Sequence, residues 1–162
     1  FLLNSDLSVI SLRISIVIGP RLAIGPIPTF YKRLKSGLAC FCTDTYRDFL
    51  DIEDFLKLID LIIINKNLTG VFNVASGETH SVKEIFDLVC KHLNVWVDDV
   101  ELISAGKDDV KNMYLDISKI SKKLNWKPKH NFEETINKQL IWYDNNGVDK
   151  LYSHLKNNVK ND

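Results

Sequence analysis

The chain has 162 residues, 45% hydrophobic and 26% charged, the balance of a globular domain with a packed core. Twenty-one basic side chains offset twenty-one acidic ones, so no net basic field exists to attract nucleic acid. The most apolar run, residues 58–64, is broken by Asp60 and is far too short to cross a bilayer.

The amino end reads Phe1-Leu2-Leu3-Asn4, with no initiator methionine. It resembles the last turn of a helix already under way, in a chain cut from something longer. Neither the basic flank nor the small-residue cleavage site of a secretory signal is visible there. Residues 7–18 (LSVISLRISIVI) form a long β-branched run, which predicts a strand buried on both faces in a parallel sheet. Gly19-Pro20 ends it, and 21–28, with Gly25, Pro26 and Pro28, is expected to be an irregular loop. Phe30, Tyr31 and Leu34 predict a helix over 29–35 that stops at Ser36-Gly37. Residues 38–42 predict a short strand, followed by a turn at 43–45.

The next stretch, Tyr46-Arg47-Asp48-Phe49-Leu50-Asp51-Ile52-Glu53-Asp54, sets an arginine at the mouth of an apolar run and then opens a helix. Asp51 is the expected N-cap, with Glu53 and Asp54 complementing the helix dipole in the first turn. An arginine placed between two elements can fork onto a phosphate or carboxylate. The plainer alternative is a surface Arg47–Asp48 pair closing a turn.

Helix follows over 54–65, with Phe55, Leu58, Ile59, Ile62 and Ile63 as its apolar stripe. Residues 71–74 predict a strand, and Ser81 with Glu84 is a capping box opening a helix over 82–93. A short strand over 100–103, a polar loop over 104–111, and a helix over 119–124 capped by Asp116 or Ser118 come next. The last clear helix, 132–143, stops at Asn146-Gly147. The end of the chain, 148–162, is expected to fray. Alternating strands and helices predict an α/β fold with no internal linker.

Three cysteines (Cys40, Cys42 and Cys90) without a secretory signal predict reduced thiols in the cytoplasm. Cys40 and Cys42 have no neighbouring ligand cluster, and the four histidines are scattered, so no metal site is expected.

The order of these motifs is specific: LRISIVIGPR, a helix opening IPTF, LACFC, YRDFLDIED, GVFNVASGE with its capping box, LNWKP, and a final helix ending in WY. Over about residues 9–143 this resembles the carboxy-terminal half of the NAD-dependent epimerase/dehydratase family. Its members are extended short-chain dehydrogenases that act on nucleotide sugars. The resemblance implies the carboxy-terminal part of a Rossmann-type fold with its small substrate-binding lobe. It implies that Arg47 binds the nucleotide-sugar diphosphate and that the backbone of Ala39 and Phe41 meets the nucleotide base. The segment holding Ser15 and Val17 would pass the nicotinamide ring of NAD or NADP. Phe49 and Trp126 are expected as core aromatics that pin the substrate lobe.

Departures from the family pattern are equally legible. Ile16 stands where sugar epimerases carry asparagine, and Gly25-Pro26 replaces a polar contact before the IPTF helix. A second phosphate-binding arginine is absent from residues 104–109, where Lys107 could serve only as a point charge. None of the seven glycines forms the Gly-rich dinucleotide fingerprint. No tyrosine of the chain (Tyr31, Tyr46, Tyr114, Tyr143, Tyr152) is expected to carry a lysine four residues on, and the family's catalytic Tyr-x-x-x-Lys pair is expected to lie ahead of Phe1, in residues this chain does not have. Two readings stay open. One is the nucleotide-sugar half of an epimerase, dehydratase or reductase, partnered by a missing amino-terminal half, dimeric when complete, and binding no NAD alone. The other is a non-catalytic nucleotide-sugar-binding or interaction module.

Overall fold

The computed structural model describes residues 9–148. The expected helical turn at Phe1–Asn4 and nearly all of the frayed tail lie outside them. The long first strand is two strands, β1 (Ile10–Ile14) and β2 (Ile16–Ile18), separated by Ser15. Ser15 N–H still bonds Val74 O at 2.9 Å, whereas Ile16 N–H bonds Asp48 O at 3.2 Å, so the chain changes partner at Ser15.

Helix α1 (Pro26–Lys35) starts earlier than the expected 29. Pro26 is accommodated in the first turn, where its missing N–H is no loss. Gly25 before it has φ 107°, a conformation open to glycine. The predicted strand over 38–42 is displaced to β3 (Phe41–Thr43), leaving Ala39 outside it. Then come β4 (Tyr46–Arg47), β5 (Phe49–Asp51) and α2 (Ile52–Ile64). Asp51 does cap α2, its carboxylate accepting from Glu53 N–H at 2.8 Å.

Strand β6 (Gly70–Val74) leads through β7 (His80–Ser81) into α3 (Val82–Leu93). Ser81 and Glu84 form the expected capping box there. The chain ends with β8 (Glu101–Ile103), α4 (Ser118–Leu124) and α5 (Phe132–Asn146). Neither predicted cap of α4 holds. Ile117 occupies the N-cap, and the Asp116 carboxylate instead accepts from Ser118 N–H at 2.8 Å. A second capping box, Asn131 with Glu134, opens α5.

β1 pairs parallel with β6, β2 with β5 and β3 with β8, while β4 and β7 are antiparallel. Two cores result. Ile18, Phe30, Phe49, Phe86, Ile136 and Tyr143 belong to one, between α1, α3 and α5. Leu50, Leu58, Phe72, Val74, Ile120 and Trp126 form the other, beneath β1 and β6. Phe49 is therefore a core aromatic as expected. Trp126 is buried but sits in the sheet-side core, where its indole N–H reaches Asp54 O at 3.2 Å.

The expectation of a first strand buried on both faces is corrected. Ile10 and Leu12 pack on the sheet-side core, but Ser11 and Arg13 are exposed and Ile14 is 43% exposed. Only β6 pairs with β1 among the described residues, and cover lies on one face. Similarly, α2 buries Leu58 but leaves Ile63 68% exposed, so Ile63 is not part of its packed stripe. No helix among the described residues is long and apolar enough to cross a membrane.

Candidate functional site

Arg47 and Asp48 do not pair with each other. Successive residues on a strand face opposite ways, and the two charges leave in opposite directions. Arg47, opposite His80 in the β4–β7 ladder, turns towards the loop before α4. Its Nη1 donates to Val110 O at 2.6 Å and Tyr46 O at 2.8 Å, and Nη2 to Asp109 Oδ1 at 2.7 Å. The loop is tied down on the same strand, Tyr46 N–H bonding Lys111 O and Met113 N–H bonding Tyr46 O. The guanidinium is thus held in one orientation at the surface.

Asp48 turns inward and is fully buried. Its Oδ1 accepts from Ser76 N–H at 2.7 Å and Ser76 Oγ–H at 2.9 Å, and its Oδ2 from Gly77 N–H at 3.0 Å. The acid is neither a partner for Arg47 nor a free base. It braces the turn after β6, and through the next residue in sequence it fixes the backbone that carries Arg47.

Upstream, a cavity of about 240 Å³ opens between α1 and β3. Pro26, Thr29, Phe30 and Arg33 line it from successive turns of one face of α1, Phe41 and Thr43 from β3, and Val82 from α3. Phe30 is locked edge-on against Phe86, with ring centroids 5.4 Å apart. Phe41 is 52% exposed, at the cavity's rim. Ala39 lies just before β3, and its carbonyl accepts from Arg33 Nε at 2.7 Å. Lys107 is exposed in a turn closed by Asp109 N–H on Gly106 O, two residues from the Arg47 partner Asp109.

Ser15 and Val17 sit where the sheet changes partner, Val17 opposite Leu50. Ser15 is 8% exposed, and its Oγ has no hydrogen-bond partner among the described residues. The structure therefore brings Arg47 and the 104–111 loop together and sets Phe41 on a cavity, while Ser15 and Val17 flank Ile16, whose N–H bonds the carbonyl of Asp48, the residue after Arg47.

The expectation that no tyrosine–lysine pair of the catalytic spacing would occur is corrected. Tyr31 and Lys35 have it, as do Tyr152 and Lys156, which lie outside the described residues. Lys35 Nζ donates to Tyr31 OH at 2.8 Å, and Tyr31 OH donates to Asp144 Oδ1 at 2.6 Å. Burial and then the Asp144 hydrogen bond push the Tyr31 hydroxyl above its ordinary pKa, the opposite of what proton abstraction near neutrality requires. His92 Nε2 meets the other Asp144 oxygen at 2.7 Å, so the group ties α1, α3 and α5 together.

Asp51, Glu53 and His130 converge closely enough to suggest a cation site. Lys138 Nζ already bonds Asp51 Oδ2 at 3.1 Å and Glu53 Oε1 at 2.7 Å, which makes the group a clamp of α5 on α2.

Sequence reasoning missed Asp109, the Asp48 grip on Ser76–Gly77, and Arg33. Arg33 carries a signal in retrospect, because Pro26, Thr29, Phe30 and Arg33 fall at helical spacing once α1 is started at Pro26.

Parallel strands linked through helices, with a helical lobe on one end, define part of a Rossmann-type extended short-chain dehydrogenase fold. The sequence model of the GDP-mannose 4,6 dehydratase family matches residues 11–139, and the chain belongs to this family of NAD-dependent epimerases and dehydratases. Among solved structures, WbmG of Bordetella bronchiseptica in complex with NAD and UDP is 52% identical, with a TM-score of 0.88 over 95% of this chain and 50% of that one. WbmH of the same organism, in complex with NAD+, is 26% identical with a TM-score of 0.78, over 88% of this chain and 48% of that one. UDP-arabinose 4-epimerase 1 of Arabidopsis thaliana is 29% identical, over 86% of this chain and 39% of the relative. The chain thus spans half or less of the length of these relatives.

Proposed function

We propose that this chain is the nucleotide-sugar-binding half of an NAD- or NADP-dependent epimerase, dehydratase or reductase, and that it performs no chemistry alone. The observation that carries the reading is the apolar cavity beside Phe41, from which the chain runs through β3 to the fixed guanidinium of Arg47. A base in the cavity would place its diphosphate along this path, where an arginine fork is suited to phosphate. The likeness to WbmG, solved with NAD and UDP, supports a uridine-type diphosphate as ligand.

Phe41 contributes backbone and ring to the base. Ala39 acts through its N–H, its carbonyl being engaged by Arg33. Lys107 supplies a point charge at the far end of the diphosphate. The buried, unpartnered Ser15 hydroxyl and the neighbouring Val17 fit the edge of a nicotinamide site completed by a second half of the fold. The bound cofactor would supply hydride transfer. Exposed Ile14 and the single partner of β1 support docking of that second half against the sheet. The complete enzyme is proposed to dimerise and to work in the cytoplasm, consistent with three free cysteines.

Calorimetric titration of the purified chain with UDP and with NAD tests the reading. UDP is expected to bind, NAD is not, and no UDP-hexose is turned over. Micromolar NAD affinity without UDP binding would overturn it.

A further inference from the structure

The cavity beside Phe41 and the fixed guanidinium of Arg47 are joined through strand β7. Val82, on the cavity wall, follows directly on β7, and β7 is the strand that β4 pairs with, Tyr46 opposite Ser81 and Arg47 opposite His80. Val82 N–H continues the contact, bonding Thr45 O at 3.1 Å. Tyr46 and Arg47 themselves hold the 109–113 loop on β4, so loop and guanidinium keep register with that strand. Asp48 anchors the exit from β4, and the span from Arg47 to the cavity wall is set across β7.

His80 is the side chain that fixes β7. Its ring lies flat on Phe132, the first residue of α5, with centroids 3.8 Å apart and planes 2° from parallel. Phe132 also meets Phe49, two residues after Arg47, at 5.7 Å. One ring thus clamps both the ladder partner of Arg47 and the strand that follows it. His80 Nδ1 meets Glu84 Oε1 at 3.1 Å, while the other Glu84 oxygen accepts from Ser81 N–H at 2.7 Å. A carboxylate only accepts, so Nδ1 carries the proton. Nε2 is buried without a hydrogen-bond partner among the described residues, Glu78 Oε2 standing 3.6 Å away. The imidazole therefore acts through its face and through Nδ1.

Resting on the reading that a nucleoside diphosphate binds here, we infer that His80 is a positioning residue for Arg47. Its stack on Phe132 sets the span between cavity and arginine, so that base and diphosphate are met at once. Two linked contacts add their affinities only where the frame allows both together.

The test is titration of native, His80→Ala, Arg47→Ala and doubly substituted chains with UDP and with uridine. His80→Ala is expected to weaken UDP about three- to tenfold, the range for losing one aromatic pair, and to leave uridine within about twofold. In the Arg47→Ala background the same change should move UDP affinity by less than about twofold. His80→Phe keeps the stack and should stay within about threefold of native. His80→Asn, which keeps a donor for Glu84 but no ring, should behave as alanine does and serves if the alanine variant fails to fold. An equal loss of UDP and uridine would make His80 a general structural support and overturn the inference. So would an unchanged UDP affinity, a phenylalanine variant as weak as alanine, or a loss that persists in full without Arg47. Failure of the native chain to bind UDP would instead remove the nucleotide-binding reading, and this inference with it.

Discussion

Replacing Asp48 with alanine should destabilise the chain more than any surface substitution near the site. The carboxylate is fully buried and accepts three hydrogen bonds, from Ser76 N, Ser76 Oγ and Gly77 N. Alanine leaves two backbone donors without their partner, each costing about 1–3 kcal/mol when buried, while the Ser76 hydroxyl keeps Glu78 O at 3.2 Å as an acceptor. These groups share one acceptor and will not add fully, so the expected net loss is about 3–5 kcal/mol. Asp48→Asn keeps one acceptor oxygen but aims its amide at a donor, and should lose roughly half as much. Urea unfolding followed by tryptophan fluorescence measures this. With a slope near 2 kcal/mol per M, the alanine variant should unfold about 1.5–2.5 M earlier. A loss below about 1 kcal/mol would mean that water replaces the carboxylate and that Asp48 does not brace the turn.

Three further outcomes follow from the packing. Gly19→Ala would drive its Cβ into the Ile52 side chain at the start of α2, and should cost about 1–3 kcal/mol in thermal or urea unfolding. Burial alone would raise the Asp54 pKa, but hydrogen bonds from the His130 and Lys129 backbone and the His130 ring hold it below the ordinary carboxylate value. Its stabilisation is therefore complete above the unfolded carboxylate pKa and lost as pH falls through the lower folded value. Asp54→Asn should flatten the acid limb of a stability-against-pH curve, and an unchanged limb would contradict this. Burial pushes the Cys42 thiol up to about 11, so Cys40, which is partly exposed, should be alkylated well before Cys42 in a timed mass-spectrometric assay.

What the sequence made legible was local. Asp51 capping α2, and Ser81 with Glu84 capping α3, depend on groups two or three residues apart, and both stand in the structure. The first turn of α1 was misread because Pro26 and Pro28 suggest a loop unless they fall in a helix's first turn, where proline is at home. The strand over 38–42 moved to Phe41–Thr43 because its register is set by β8, sixty residues on. The exposed side of α2 was illegible for a different reason: the helix is apolar nearly all round, so periodicity did not separate Leu58 from Ile63.

At the candidate site, the sequence marks Arg47 as an arginine placed between two elements, but its hold by Asp109 spans 62 residues and has no local signature. Tyr31 and Lys35 show the converse. Their spacing is plain in the sequence, yet Asp144, which with burial sets the tyrosine's chemistry, lies 113 residues away.

The claim that Arg47 receives a nucleotide diphosphate is tested most directly by titrating native, Arg47→Ala and Arg47→Lys chains with UDP and with uridine. Arg47→Ala should weaken UDP by about 1.5–3 kcal/mol, the range for a hydrogen bond to a charged group, and leave uridine nearly unchanged. Arg47→Lys should recover only part of the loss, because a lysine carries the charge without the fork. Equal UDP affinity in the native and Arg47→Ala chains would contradict the account and leave Arg47 as a clasp for the Asp109 loop.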